Sequence, residues 1–254
     1  MKPTLLVLMM AISFTLSSQS AREIAQKANE AIESGDMEMI STIRIADTRG
    51  NERIRQISTA SRKFGECTKM LTVFLQPPDI KGTSLLVFDY EHKEDNMWIY
   101  MPALKKVRRI VSSEKGKNFM GSEFSNADMS KPNINEFRYN DLGTVTIHGK
   151  KCRKIESIPV NEEIAKDNNI SKKVSYIDSG NFLCYRIEYF DLNGKLQRIQ
   201  TISEYRKLTN GKHFAHRMEM ENVQNSRKTT LIIDQFQQGS KLPESRFSPN
   251  ALEQ

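Results

Sequence analysis

Cysteine, histidine and tryptophan are scarce in this chain of 254 residues, which has three cysteines, four histidines and one tryptophan. Cys67, Cys152 and Cys184 show no C-x-x-C spacing, so the sequence contains no motif for a zinc or redox site. Their odd number leaves at least one thiol unpaired, and a predicted strand between Cys152 and Cys184 disfavours a bridge between those two. We therefore expect buried free thiols.

Catalytic signatures are also missing. The sequence has no Gly-x-Ser-x-Gly elbow, no His-Glu-x-x-His and no phosphate-binding loop. The histidines are scattered over His92, His148, His213 and His216. His213 and His216 lie three apart on a predicted strand, so they face opposite sides and are poorly placed to bind one metal ion. Ser122 and Asp128 supply a hydroxyl and a carboxylate without an evident base. We expect no catalysis, no cofactor and no metal, and a lipid hydrolase would need a nucleophile and base that are not evident.

Acidic residues are outnumbered, with 31 Asp and Glu against 38 Lys and Arg and a net charge of +7. A positive balance fits nucleic acid, anionic lipid head groups or no specific partner. The chain has neither a zinc-finger spacing nor an RNA-binding aromatic motif, which argues against nucleic acid. Contact with a lipid surface is the more natural expectation for an exported protein.

Long apolar runs are absent apart from residues 4–16. This run follows Lys2 and precedes small residues, which is typical of a secretory signal peptide. It is shorter than the roughly 20 residues that a spanning helix needs, although an uncleaved anchor is the alternative. We place cleavage near Ser20, within two residues, so that residues 1–20 are the signal peptide and residues 21–254 the exported domain.

The mature chain begins with one predicted helix and continues with strands. Residues 21–33 carry an apolar stripe at helical spacing, and Gly35 ends it. After that point the apolar period changes to two, which predicts an antiparallel meander with short polar turns. The predicted strands are residues 37–45, 52–63, 69–76, 83–90, 97–101, 136–139, 143–148, 151–158, 172–177, 183–190, 195–205, 213–223 and 228–236. Residues 162–168 are predicted to form one helical turn, and residues 242–254 a tail that packs through Phe247 and Leu252.

A flap is predicted at residues 105–132, because this segment has too many large apolar residues for a surface loop and too much glycine for a core helix. A dozen or so strands are many for one flat sheet, and such sheets tend to curl. The predicted fold is mainly β with α. It is a single strongly curved antiparallel sheet, an incomplete β-barrel, with an N-terminal helix and a helical or loop lid over an apolar cavity.

Cavity-facing residues are predicted from strand alternation, with Asp89 taken to face water. We expect the ligand-binding wall and lid to consist of Leu71, Val73, Leu86, Phe88, Trp98, Tyr100, Phe119, Met120, Phe124, Tyr185, Ile187, Met218 and Met220. The abundant methionine of the predicted strands and flap suits an adaptable binding surface, or ordinary core filling. A bulge in any strand would reverse its faces.

A basic segment lies between the fifth strand and the flap. Lys105, Lys106, Arg108 and Arg109 are expected to hold a lipid head group or to contact an acidic partner. The alternative is a solvated strand edge whose charges prevent edge-to-edge pairing.

Three motifs in the central stretch resemble the outer-membrane lipoprotein-sorting family related to LolA and LolB. They are P-P-D-I-K-G-T-S-L-L at 77–86, W-I-Y-M-P-A-L-K-K-V-R-R-I at 98–110 and F-M-G-S-E-F-S-N-A-D-M at 119–129. They are most similar to a subgroup found beside efflux-type (RND) transporters, and the late K-T-T-L-I-I strand fits the same pattern. Asn126 stands where that subgroup usually has an aromatic residue, and the basic segment is not part of the lipoprotein carrier's pattern.

This resemblance implies an incomplete barrel with a helical lid that carries acyl chains across the periplasm without catalysis. The first hypothesis is a periplasmic, monomeric carrier that takes a lipid or a lipoprotein acyl chain toward the outer membrane and contacts membranes only transiently. The second is a non-catalytic adaptor of an inner-membrane RND-type transporter, which the basic segment would favour.

Overall fold

The computed structural model of this protein describes residues 19–33, 35–90, 93–147 and 149–253. The predicted signal peptide lies outside these residues except for its last two. Within them the chain forms two α-helices and thirteen β-strands. The helices are α1 (Ala21–Glu30) and α2 (Glu162–Asn168), and the strands are β1 (Met37–Ala46), β2 (Glu52–Phe64), β3 (Cys67–Gln76), β4 (Ser84–Tyr90), β5 (Asn96–Met101), β6 (Lys106–Ile110), β7 (Phe137–Ile147), β8 (Lys150–Pro159), β9 (Lys172–Asp178), β10 (Cys184–Phe190), β11 (Leu196–Lys207), β12 (His213–Asn222) and β13 (Arg227–Gln238).

All the described strands belong to one antiparallel sheet, in the order β6-β5-β4-β3-β2-β1-β13-β12-β11-β10-β9-β8-β7. It consists of two meanders, β1–β6 and β7–β13, joined where β1 pairs with β13. The free edges are β6 and β7, so the sheet is not closed into a barrel. The predicted meander and the single open sheet are both confirmed.

The N-terminal helix begins at a capping box. The Ser20 side chain accepts a hydrogen bond from the Glu23 amide, and the Glu23 carboxylate accepts one from the Ser20 amide, which satisfies two of the helix's free donors. Ile24 is buried and packs against Ile155 and Ile177 of the sheet. The helix ends three residues before the predicted Glu33, because the Ala31 carbonyl and the Glu33 amide bond to the backbone of His213 at 2.8 and 2.9 Å.

Both faces of the β1–β6 half of the sheet are covered. On the inner face Ile43, Ile57 and Phe74 form a compact cluster with Phe119 from the segment after β6. On the outer face the tail packs through Phe247 and Leu252, which are 0% and 7% exposed, over residues of β2–β5. The predicted packing of the tail is confirmed.

Two predicted boundaries were wrong. The basic segment was predicted as the start of the flap, but Lys106–Ile110 form strand β6, which pairs along its whole length with β5. The predicted strands 136–139 and 143–148 are one strand, β7, interrupted by a bulge between Asp141 and Thr144. Gly143 adopts a φ of +90° there, so its turn-like signal marks a bulge rather than a strand end.

Candidate functional site

The flap is the connection between β6 and β7, residues 111–136. These strands are consecutive in the chain but lie at opposite edges of the sheet, so this connection has to cross it. The flap forms short 3-10 turns, among them Phe119–Gly121 and Asn126–Met129. Met120 and Gly121 have φ values of +49° and +75°, which reverse the chain after Phe119. The predicted lid is therefore built of turns and loop.

The first attachment of the flap is apolar. Phe119 is 2% exposed, and its ring centroid lies 5.9 Å from that of Phe74. The Arg55 guanidinium donates to the Met120 carbonyl and lies 5.9 Å from the Phe74 ring centre. The first half of the flap therefore covers a part of the inner face that is already filled by packed side chains.

A second attachment is polar and centres on Glu123, which is 1% exposed. Its amide donates to the Thr229 hydroxyl at 2.9 Å. Its carboxylate lies 3.0 Å from Arg227 Nε and accepts from Asn222 Nδ2 at 3.0 Å. The middle of the flap is thus fixed to the ends of β12 and β13.

The third attachment is a buried ion pair between Asp128 and Arg198 of β11. Arg198 Nη1 donates to Asp128 Oδ2 at 2.8 Å and to the Glu123 carbonyl at 3.0 Å. Burial by itself raises the pKa of Asp128, but the Arg198 charge and hydrogen bonds from Ser125 outweigh it, and the pKa lies below its ordinary value. A charged pair in this setting is a strong attachment as long as both partners are present.

Asn126, which departs from the subgroup's aromatic residue, is 9% exposed. Its side-chain Nδ2 donates to the Glu114 carbonyl at 2.9 Å. Asn126 is therefore held by a hydrogen bond within the flap.

A cavity of about 410 Å³ lies between α1, the second half of the flap (residues 125–136) and the inner face of the sheet. Residues from both meanders line it, which shows that the sheet curves around it. The apolar lining includes Ala25, Ala28, Ile32, Met37, Met39, Met70, Val87, Ala127, Met129, Pro132, Ile134, Phe137, Ile155, Ile170, Ile177, Ile187, Ile202, Phe214, Ala215 and Met218. The volume is within the range of small-molecule sites, about 300–1,000 Å³.

Several titratable groups of the lining respond to the apolar surroundings. Burial raises the pKa values of Glu136, Asp95 and Tyr139, and it lowers those of Lys131 and Lys173. In each case desolvation, which disfavours the charged form, is the main cause. These groups therefore lie in surroundings of low polarity, although ten acidic or basic residues contribute to the cavity lining.

Of the residues predicted to line the cavity, the structure places Ile187 and Met218 in the wall. Four others pack within the protein beside it. Phe119 and Met120 belong to the cluster under the first half of the flap, and Phe124 and Met220 belong to a neighbouring cluster with Tyr189. These four support the flap and the wall rather than line the cavity.

The predicted facing of β3, β4 and β5 was wrong. Leu71, Val73, Leu86, Phe88, Trp98 and Tyr100 all lie on the outer face, beneath the tail. The cavity is lined instead by their neighbours Met70, Val87 and Asp89. Asp89 faces inward, where its carboxylate accepts from the Lys131 amide at 3.1 Å, so the assumption that it faces water reversed the assignment.

Tyr185 was assigned to the wrong face for a different reason. The pairing of β10 with β9 shifts between Cys184 and Arg186, so Cys184 and Ile187 both line the cavity although they differ in parity. Tyr185 packs on the outer face. A bulge of this kind does not change the alternating pattern of the sequence, but it reverses which residues of the strand face the cavity.

Sequence reasoning missed the contribution of α1 and of Lys173. Ala25 and Ala28 are small residues on a helix whose stripe was read only as a packing surface, although small side chains are what leave a cavity open. Lys173 follows Lys172 in a strand that also carries Val174 and Tyr176 on its outer face. Because the outward residues of this strand are also apolar, the sequence pattern does not reveal that Lys173 points inward.

The basic segment lies at the open edge of the sheet. Lys105 is the left-handed residue before β6, with a φ of +48°, and Lys106, Arg108 and Arg109 are exposed on that strand. Arg108 pairs with Glu114, and Arg109 donates to Asn96. These contacts fit the predicted charged strand edge, and no part of the segment lines the cavity.

The described residues contain no group of three or more acidic, histidine or cysteine side chains placed to hold a metal ion. Across the described ranges, no helix has the length and apolar character needed to span a membrane. The three cysteines are unpaired thiols, with Cys67 and Cys152 buried and Cys184 half-buried.

Known proteins with this fold are similar over almost the whole chain. A family model described only as "uncharacterized protein" matches residues 66–254. A crystal structure described as an outer membrane lipoprotein-sorting protein domain from Vibrio parahaemolyticus is 30% identical, with a TM-score of 0.84, and the match covers 92% of this chain and 98% of that one. A DUF1329 family protein from Desulfovibrio piger is 26% identical with a TM-score of 0.83, over 91% and 97% of the two chains.

A LolA superfamily protein from Nitrosomonas europaea has the same fold at 17% identity, with a TM-score of 0.72 over 92% of this chain and all of the other. No curated protein sequence matches this chain significantly.

Proposed function

Because the chain belongs to the outer membrane lipoprotein-sorting protein family, we propose that it is a periplasmic carrier for a lipid or a lipoprotein acyl chain. In this proposal it binds the chain in its cavity and carries it toward the outer membrane. The protein performs no catalysis, because its work is binding and release. The predicted signal peptide supports export to the periplasm.

The observation that carries this proposal is the cavity of about 410 Å³ under the flap. Its apolar wall combines isoleucines with small and flexible side chains, among them Ala28, Met39, Met70 and Met218. Such side chains adapt to an apolar ligand of variable shape. Transfer of the ligand surface from water would supply about 25 cal/mol for each Å² buried.

Release follows from the way the flap is attached. Its turns are short, and it is held by Phe119, the Glu123 contacts and the Asp128–Arg198 pair rather than by a continuous hydrogen-bonded strand. Residues 129–136, which follow the Asp128–Arg198 pair, are half-buried or exposed, whereas residues 122–126 are buried. Local opening favours segments with few buried contacts, so this later part of the flap would open first. The second half of the flap lines the cavity, so its opening would expose the ligand.

The direct test is native mass spectrometry with lipid extraction on protein purified from the periplasm of its own host. A lipid or acylated peptide at one equivalent supports the proposal and identifies the cargo. Protein that is empty and also ignores fluorescent fatty-acid probes contradicts it.

A variant tests whether the cavity is the binding site. Ala28→Trp places a large ring in the cavity, and displacing only two methylenes of a ligand costs about 1.6 kcal/mol, which is more than tenfold in Kd. Ala103→Trp is the matched control, since Ala103 is exposed in a turn outside the cavity. Equal probe affinity in both variants, with unchanged circular dichroism, would exclude the cavity.

The exposed cationic edge favours a second candidate function, an adaptor of an inner-membrane RND-type transporter. Lys105 and Lys106 form no ion pair among the described residues, so their charges are available to an acidic partner. Charge reversal at Lys105, Lys106, Arg108 and Arg109 would then abolish partner binding and leave probe uptake unchanged. Loss of uptake with intact partner binding would contradict the adaptor function.

A further inference from the structure

Two successive lysines of β9 have opposite environments. Lys172 points outward and pairs with Glu156 at 3.0 Å. Lys173 points to the inner face, where it lines the cavity. Its accessible surface therefore faces the cavity. The strand alternation alone accounts for this difference in direction, but not for what the inner ammonium group binds.

The contacts of Lys173 leave its charge without a counter-ion. Its ammonium lies 4.6 Å from the centre of the Phe137 ring, an attractive contact for a cation. Within the described part of the chain, no carboxylate oxygen lies within 4.0 Å of it and no acceptor makes a hydrogen bond to it. Burial lowers the pKa of Lys173, partly offset by the negative potential of Asp128, Cys184 and Glu136.

The nearby acidic groups do not neutralise this lysine by direct contact. Asp128 is held by Arg198 at 2.8 Å and by the Ser125 amide at 2.7 Å. Burial raises the pKa of the Cys184 thiol to about 12, so it is uncharged at neutral pH. Burial also raises the pKa of Glu136, which favours its neutral form. An ammonium group enclosed in this way is costly unless something pairs with it.

We infer that Lys173 binds the anionic end group of the cavity's ligand, the carboxylate or phosphate of a single-chain amphiphile whose tail lies against the apolar wall. This inference rests on the proposed function, since it requires that the cavity holds a lipid. It adds a selection rule, because a chain that ends in a neutral ester or amide leaves the ammonium unpaired. The bound acid replaces the missing counter-ion.

The experiment compares a naturally fluorescent polyene fatty acid with its methyl ester, which has the same chain and no charge. Binding of both is measured at pH 7 to the full mature chain and to Lys173→Met, Lys173→Arg and Lys172→Met. A hydrogen bond to a charged group corresponds to about 10- to 100-fold in Kd. We expect the wild type to prefer the acid by that factor, Lys173→Met to lose the preference, and Lys173→Arg to keep most of it.

Lys172→Met is the matched control, because it removes a neighbouring lysine from the outer face and should keep the preference. Competition by dodecanoate and by dodecyl phosphate then decides between a carboxylate and a phosphate, and inorganic phosphate alone should not compete. Glu136→Gln removes a carboxylate whose negative potential acts on Lys173 and should strengthen binding of the acid.

The possible results separate the role of Lys173 from the carrier function. If acid and ester bind the wild type equally, or if Lys173→Met keeps the full preference for the acid, the role of Lys173 is refuted while the carrier function stands. If neither probe binds any variant, including the folded wild type, the carrier function fails and this inference fails with it. Circular dichroism of each variant confirms that a loss of preference is not a loss of fold.

Discussion

Replacing Asp128 by asparagine should destabilise the fold and loosen the flap at the same time. The side chains of Asp128 and Arg198 are only 12% and 9% exposed, so little solvent screening reduces their interaction. Removing one partner of a buried pair leaves an uncompensated charge and costs about 3–5 kcal/mol. The asparagine oxygen keeps the shape of the acceptor, so we expect a loss near the lower value, about 3 kcal/mol.

The pH dependence gives this prediction a sign. The folded-state pKa of Asp128 lies below its ordinary value, because the Arg198 charge and the Ser125 hydrogen bonds outweigh the opposing effect of burial. The stability from this group is therefore complete above the unfolded-state pKa, about 3.9, and is lost as the pH falls through the lower folded-state pKa. Acid should therefore reduce the wild type's free energy of unfolding more steeply than that of Asp128→Asn.

The assay is urea unfolding of Asp128→Asn, Arg198→Met and the double variant, together with hydrogen exchange of the flap amides. The double variant should be more stable than the sum of the two losses predicts, because it buries no unpaired charge. Glu162→Gln breaks an exposed pair with Lys166 and should change stability by less than about 1 kcal/mol. The reasoning would be refuted if Asp128→Asn and Arg198→Met each cost less than about 1 kcal/mol and if their losses simply added in the double variant.

Two further predictions concern the outer face and the thiols. Phe247→Ala should cost about 3–5 kcal/mol in urea unfolding, since Phe247 is fully buried beside the Phe64 ring. It should leave probe affinity unchanged, and weaker binding by the folded variant would contradict the separation of the two faces. Burial raises the pKa values of Cys67, Cys152 and Cys184, so a thiol reagent at pH 8 should react slowly with native protein and rapidly with three thiols in urea. Fast labelling of the native state would show that the thiols are accessible.

Much of the architecture was predictable because it depends on local signals. The switch from helical to two-residue spacing after Gly35 predicted a helix followed by an antiparallel meander, and the chain forms both. The Asn-Gly pair at 210–211 marks the turn between β11 and β12, as its left-handed preference suggests. The first strand, predicted at 37–45, was correct to within one residue.

The candidate site was less predictable, because the β2–β5 region is apolar on both faces. When one face meets the flap and the other meets the tail, alternation no longer shows which residue points inward. Val87 and Phe88 are neighbours, and the sequence gives no reason to choose between them. A single acidic residue, Asp89, was used to decide, and the inward acceptor role of its carboxylate made that choice wrong.

The sequence by itself determined the helix followed by a meander, the exposed basic segment and the presence of a flap, because spacing and composition are local properties. Only the tertiary structure decided which face encloses the cavity, that Cys184 and Ile187 share its wall across a bulge, and that Arg198 fastens the flap at Asp128. The tertiary structure also placed Lys173 inside an apolar wall. Each of these depends on what another part of the chain, distant in sequence, packs against the same surface.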